Sequence, residues 1–402
     1  MIRPQRRGHF LLQKNKLKNF GGNFVMKKLL SSVLALMMVL SLVACGQKQG
    51  AANTNSETQA ASKKETFELA LVTDLGTIDD KSFNQGAWEG LTKYAKEKGI
   101  THKYYQPQEA GTNAYFETIE LAIEGGAKLV VCPGFLFEEP VYLAQTKYPD
   151  THFILLDGEP HTADYSTYKT ENNTMPILYQ EDEAGFLAGY AAVKDGNTKL
   201  GFLGGMSVPA VIRFGFGYVQ GADAAAKELG VNCDVVYNYT GAFAATPEAQ
   251  SLAASWYNAG TQVVFGCGGA VGNSAMSAAE GKNQQEGKFV AKVIGVDVDQ
   301  YSESDTVITS AMKQLANSVY DGISMFYNGN FPGGKTSVFS VKNDGVGAAM
   351  EHAKFETFTK ADYDVLYNDL KAGKYTIFNN VEDYNPATAL KNLTNTKVTF
   401  IE

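Results

Sequence analysis

Metal-binding and nucleophilic patterns are missing from this 402-residue chain. Its five histidines (His9, His102, His152, His161 and His352) are scattered, with no H-E-x-x-H and no Cys–His pairing, which argues against a zinc centre. The four cysteines form no C-x-x-C. Beyond Cys45, each of Cys132, Cys233 and Cys267 lies in or beside a strand-like run (VVCPG, NCDVVY, VVFGCGG), and three cannot all pair, so buried free thiols are expected. No G-x-S-x-G elbow occurs and no histidine lies near the strand-end serines, which leaves nucleophilic catalysis without visible machinery. VDVDQYSESD, from Val296, begins like a calcium loop but puts Tyr301 and Ser302 where an EF-hand needs Asp/Asn and Gly. Neither a metal nor a cofactor is expected.

Long apolar runs are scarce too. The longest, Leu29 to Ala44, follows Lys27 and Lys28 and is short for a membrane span, which needs roughly 20 residues; it has the layout of a secretory signal. LVAC followed by Gly46 resembles the lipobox of bacterial lipoproteins, and the resemblance implies cleavage before Cys45 and acylation of its sulfur. Residues 1–25 read as a segment ahead of a true start at Met26. Residues 1–44 hold eight of the 35 Lys/Arg and none of the 43 Asp/Glu, so the remainder carries 27 basic and 43 acidic residues, a net of −16. That excess of acid argues against a nucleic-acid partner, since phosphate contacts need the opposite sign. GQKQGAANTNSETQAASKK, polar and without apolar period, makes 45–65 a flexible tether.

From Phe67 onward β-rich runs alternate with helix-like stretches. FELALVTD, THKYYQP, KLVVCPG and HFILLDG are separated by WEGLTKYAKEKG, AYFETIELAIEGG and EEPVYLAQTKY. After the polar stretch TADYSTYKTENNT the alternation restarts with KLGFLGG, CDVVYNY, QVVFGCGG and VAKVIGVDVD as strands. This order predicts an α/β chain of two doubly wound parallel-sheet lobes. Further strands, TVITSAM and SVFSVKNDGVG, with a helix between, follow the second set, so the chain crosses between lobes more than once and forms a hinge. The division expected is 66–177 plus 307–331 for lobe one and 178–306 plus 332–402 for lobe two.

Ligands of open α/β sheets bind beyond the carboxyl ends of the strands. Polar, glycine and aromatic residues gather there: Asp74 to Asn84, Gly134, Phe135, Asp157, Gly204 to Met206, Gly241 to Phe243, Gly268 and Gly269, Asp297 and Asp299, and Ser310 to Lys313. In TDLGTIDDKSFNQGAWEG, Asp79, Asp80 and Ser82 read as the start of a helix, with Ser82 as cap, although the two aspartates would also suit an acid/base pair. Asp74 reads as the last strand position, where a carboxylate points into the cleft. Phe83 and Phe243, one per lobe at strand–helix turns taken as equivalent, would sandwich a flat ring. Asp297 and Lys313 would offer a carboxylate and an ammonium to a polyol, or else bridge the hinge as a salt bridge. GCGGAVG reads either as a tight turn or as backbone approaching a ligand. GNFPGGKT matches a P-loop literally, but a helix precedes it and a strand follows, the reverse of a phosphate loop, so it is a turn.

TDLGTIDDKSFNQGAWEG, EDEAGFLAGYAA, GFLGGMSVPAVIRFGFGYVQG, VVFGCGGAVGN, VIGVDVDQ and TSAMKQ, in this order, resemble the signature of the basic membrane protein family, whose best-understood members are purine nucleoside receptor lipoproteins feeding ABC transporters. The resemblance covers Phe67 to about Gly345. It implies a class I periplasmic-binding-protein fold with a hinge of three crossovers, a monomer anchored to the membrane through Cys45, a nucleoside ligand (guanosine, inosine or adenosine) and an ABC permease as partner. It further implies that Phe83 and Phe243 stack the base, that Asp297 and Lys313 hold ribose hydroxyls, that Asp74 and Asn84 are first-lobe polar contacts, and that Gly268 and Gly269 turn near the sugar. Asp157 joins them by its place in the fold. A receptor for a sugar or another small molecule on the same fold, a nucleoside hydrolase, and an adhesin role are the alternatives. One departure stands out: GAFAATPEA has Thr246 where the family often has an acidic residue before the proline, which is either cap variation or a retuned site. Residues 351–402 carry no assignable motif.

Overall fold

The computed structural model describes residues 66–402, which form one compact unit. The signal segment, the lipidation site Cys45 and the tether lie outside the described residues. Among the described residues no helix is long and apolar enough to cross a membrane.

The first five strands are β1 (Leu69–Val72), β2 (His102–Tyr105), β3 (Leu129–Pro133), β4 (His152–Leu156) and β5 (Thr174–Tyr179), with α1 (Phe83–Lys98), α2 (Thr112–Glu124) and α3 (Glu138–Lys147) between the first four. LALV and LVVCP are buried along their whole length, as strands covered by helices on both faces must be. The second set repeats the plan: α4 (Glu181–Lys194), β6 (Lys199–Gly204), α5 (Pro209–Leu229), β7 (Cys233–Tyr239), α6 (Pro247–Asn258), β8 (Val263–Cys267), α7 (Val271–Glu286), β9 (Lys292–Asp297) and β10 (Val307–Lys313). Then come α8 (Leu315–Tyr327), β11 (Ser337–Phe339), β12 (Val346–Ala348), α9 (Lys360–Lys371), α10 (Pro386–Ala389) and β13 (Thr396–Phe400).

The sheets run β11-β5-β4-β3-β1-β2 and β12-β10-β9-β8-β6-β7-β13, so both lobes carry the same doubly wound core order. All pairs are parallel except β10 with β12. The chain changes lobe after β5, after β10 and between β11 and β12. Two parts of the expected division are corrected. Val307–Lys313 belongs to the second sheet, paired with β9, rather than to lobe one. Ser337–Phe339 belongs to the first sheet, paired with β5, rather than to lobe two. Crossing happens at the strand ends, where the backbone leaves its ladder, and not in front of the strands.

Residues 351–402 complete lobe two. The side chain of Asp195 accepts from the backbone N–H of Glu356 and Thr357, at 2.7 Å each. Asp223 accepts from the N–H of Thr394 and Asn395 and so leads the chain into β13, the edge beside β7. Between α4 and α5 the backbones touch. A Cβ on Gly185 or Gly189 would fall 2.1 or 2.0 Å from the carbonyl oxygens of Phe214 and Tyr218, and one on Gly217 or Gly221 would fall 2.0 Å from those of Asp182 and Phe186. Four glycines thus fuse the first helix after the crossover to its neighbour.

Candidate functional site

The carboxyl ends of both sheets face a cleft of about 860 Å³, within the usual range for small-molecule sites. Asp74, Phe83, Asn84, Asp157, Phe243, Gly268, Gly269, Asp297 and Lys313 all line it.

On the first lobe, Asp74 lies two residues past β1 and not at its last position, because the ladder ends at Val72. Its Oδ1 accepts from the Gly76 N–H and from Asn84 Nδ2, both at 2.8 Å, so this carboxylate shapes its turn and orients Asn84 as well as facing the cleft. Asp80, not Ser82, caps α1: its carboxylate accepts from the N–H groups of Ser82, Asn84 and Gln85 at 2.9–3.0 Å. Burial pushes Asp80 up to about 6 while those donors pull the other way. The Ser82 hydroxyl makes no cap bond; it reaches across to the second lobe and donates to Asp297 Oδ2 at 2.6 Å.

Asp157 and Asp297 close β4 and β9, the same strand in each lobe, and both adopt the left-handed backbone region, with φ of 59° and 67°. Non-glycine residues in that region concentrate at functional sites. The salt bridge from Lys313 runs to Asp157, at 2.5 Å, and not to Asp297. Lys313 also lies 3.1 Å from Glu181, whose other oxygen receives Arg213 Nε at 2.5 Å. Burial alone would favour loss of the Lys313 proton, but Asp157, Glu181 and Asp297 outweigh it and keep the ammonium charged. Against the same effect of burial, Arg213 and Lys313 hold Glu181 down at about 2. Burial raises Asp297, with Lys313 and the Ser82 hydroxyl opposing. Burial likewise raises Asp157, with Lys313 opposing, and Asp157 Oδ1 has no donor among the described residues. Three rings surround the ammonium: Phe83 at 4.9 Å, Tyr179 at 5.1 Å and Phe214 at 5.3 Å.

Phe243 follows β7, the second strand of its lobe, whereas Phe83 follows the first strand of its own, so the two turns are not equivalent in the fold. They nevertheless line one cleft. Phe243 rests on glycines: a Cβ on Gly205 would come within 2.5 Å of its ring, one on Gly268 within 3.1 Å, and one on Gly269 within 3.1 Å of its carbonyl oxygen. Gly268 and Gly269 have φ of 123° and 55°. The tight turn in GCGGAVG therefore makes room first of all for Phe243. Thr246 caps α6, accepting from the Ala249 N–H at 3.1 Å, and does not line the cleft; the departure before the proline is cap variation. Gly329–Thr336 joins α8 to β11 as a turn, with Gly333 packed on the Asn172 backbone. All three cysteines among the described residues are free and buried.

Sequence reasoning missed Glu181, Arg213, Tyr179 and Phe214 as supports of Lys313, and Ser82 as a partner of Asp297. A signal for two of them was present: Arg213 is the one charge in the apolar run AVIRFGFGY, and such a residue needs a buried partner.

A family model described as ABC transporter substrate-binding protein PnrA-like (Bmp) matches residues 67–372. The ABC transporter nucleoside-binding protein BmpA of Lactococcus lactis subsp. cremoris (strain MG1363) is 31% identical over 354 residues, covering 83% of this chain and 95% of its own. An uncharacterized lipoprotein of Pyrococcus abyssi (strain GE5 / Orsay) is 30% identical over 323 residues, 79% of this chain and 75% of that one. Among solved structures, an ABC transporter solute-binding protein from Aeropyrum pernix K1 superimposes with a TM-score of 0.68 at 21% identity, over 80% of this chain and 99% of that chain. The architecture is that of ABC solute-binding proteins.

Proposed function

The chain belongs to the Bmp family of PnrA-like ABC transporter substrate-binding proteins, and from that footing we propose that it captures nucleosides, purine nucleosides above all, and presents them to an ABC permease. The observation that carries the reading is the make-up of the cleft. Phenylalanines from opposite lobes, Phe83 and Phe243, line a space whose floor holds Asp157, Asp297 and Lys313. Flat rings favour stacking on aromatic side chains, and a ribose offers hydroxyls both to carboxylates and to an ammonium. In this reading Phe83 and Phe243 hold the base, Asp74 and Asn84 contact its edge, and Gly268 and Gly269 seat Phe243 and border the sugar. Asp157, Asp297 and Lys313 bind the hydroxyls, with Asp157 Oδ1 free to accept one. The Lactococcus relative, named as nucleoside-binding, supports the ligand class. The Pyrococcus relative, named as a lipoprotein, supports a lipid anchor; this reading puts the anchor at Cys45 on the outer face of the membrane and has the lobes working as a monomer.

Calorimetric titration of the purified protein, unfolded and refolded to strip copurifying ligand, tests this. Guanosine, inosine, adenosine, cytidine, uridine and ribose form the panel. Micromolar or tighter binding of the purine nucleosides, lost in Asp297→Ala, is the expected result. Heat from ribose alone would make the protein a sugar receptor, and silence from all six would remove the ligand assignment altogether.

A further inference from the structure

The turn Asp80–Ser82 of lobe one and the turn Asp297–Gln300 of lobe two are joined by two hydrogen bonds that neither lobe needs for its own fold. Ser82 Oγ donates to Asp297 Oδ2 at 2.6 Å, and Gln300 Nε2 donates to the Lys81 carbonyl at 2.6 Å. Each side is held for this contact. Asp80 caps α1 with three backbone donors and so releases the Ser82 hydroxyl from capping. Lys81 takes a φ of 64°, a backbone conformation that costs energy in a lysine and fixes where its carbonyl points. Gln300 is anchored through Oε1, which accepts from the Val296 N–H at 2.9 Å, and through its own N–H, which donates to Ser310 Oγ at 3.0 Å. Ser82, Asp297 and Gln300 are all buried, so the Ser82–Asp297 bond is shielded from water and the Gln300–Lys81 bond partly so. Beside them Gly86 of α1 admits Val298 and Leu315, which a Cβ would meet at about 3 Å.

We propose that Ser82 and Gln300 are positioning residues of an interlobe clasp that orients the Asp297 carboxylate and retains ligand in the closed cleft. The clasp forms only when the lobes meet, so Asp297 is fully oriented only after closure. Breaking it leaves capture unchanged and speeds release. The inference rests on the nucleoside reading above for its ligand, but its geometry does not depend on it.

The test compares wild type with Ser82→Ala and Gln300→Glu, which each remove one of the two clasp bonds, from opposite lobes. Stopped-flow kinetics with inosine, small-angle scattering and thermal melting supply the readouts. The inosine dissociation rate is expected to rise about five- to twentyfold in each variant, as loss of one buried hydrogen bond implies, with the association rate within twofold of wild type. The melting temperature of Ser82→Ala should stay close to wild type, which separates the clasp from a merely structural role. The double variant should fall short of the product of the singles, because both bonds belong to one closed contact that either substitution loosens. Unchanged dissociation rates in both variants overturn the proposal. Should wild type bind no nucleoside, the functional reading fails by itself, and the clasp is judged from ligand-free scattering: the two variants must show a larger radius of gyration than wild type, and an unchanged radius overturns it.

Discussion

The ammonium of Lys313 sits 4.9 Å from the centre of the Phe83 ring, so the charge that lobe two sends to the floor of the cleft leans on the aromatic wall of lobe one. In the proposed nucleoside reading Phe83 therefore has two tasks, stacking a base and steadying the ammonium. Stacking contributes about 0.5–1.5 kcal/mol beyond burial and a cation over a ring about 0.5–1 kcal/mol. Phe83→Ala should weaken inosine binding roughly ten- to fiftyfold, and Phe83→Tyr, which keeps the ring, by much less. Titration calorimetry on the two variants checks the order.

Gly205→Ala tests the seat of Phe243. The added methyl would meet the ring at 2.5 Å, and the ring has the cleft to move into. Binding should fall about tenfold or more through the displaced ring. A melting temperature within a few degrees of wild type is expected, since the residue that moves is only half-buried.

Phosphorylated ligands should be rejected. Asp74, Asp79, Asp80, Asp157 and Asp297 line the cleft, and Lys313, the single cation lining it among the described residues, is already paired with Asp157 and Glu181. Bringing a phosphate beside carboxylates without a spare cation costs several kcal/mol. Guanosine 5′-monophosphate should bind at least about a hundredfold more weakly than guanosine. Competition calorimetry settles the ratio, and equal affinity would require a cation that the cleft does not contain among its described residues.

Stability should carry a pH signature from Asp182. Burial, reinforced by the neighbouring Glu181, pushes this carboxyl from 3.8 up to about 7. A raised folded value means that the native state holds a proton which the unfolded chain gives up between those limits, so stability falls as pH rises from about 4 to about 7. Asp182→Asn removes that titration and can still accept from Asn379. Its melting temperature should exceed that of wild type above pH 7 and match it near pH 4. Glu181 acts in the opposite sense: its depressed value makes its contribution present above about 4.5 and lost as pH falls toward 2.

Much of this was legible in the residues. Buried parallel strands read as apolar runs, and β1, β3, β4, β6, β8 and β9 stood out for that reason. β5 did not, because TMPILY carries a proline and follows a polar stretch. The sheet that takes β10 is decided by a partner strand and not by its own residues, so its lobe was misread. Strand-end position sufficed to gather the nine predicted site residues, all of which line the cleft. It could not reveal that Ser82 points across the cleft, since a serine at a helix start has a local alternative and only the presence of Asp80 removes it. Glu181 and Arg213 escaped notice for a related reason: each makes sense only beside the other and beside Lys313.

The interleaving of the lobes also has a consequence in time. A chain made from its amino end emits β1 to β5 early, yet β5 must wait for β11, whose Ser337 pairs with Ile177, and α1 must wait for α8. By then the strands β6 to β10 have all emerged and can pair with one another. The lobe that starts first thus stays open until β11 emerges, and β13, at the far end of the chain, closes the second sheet last of all.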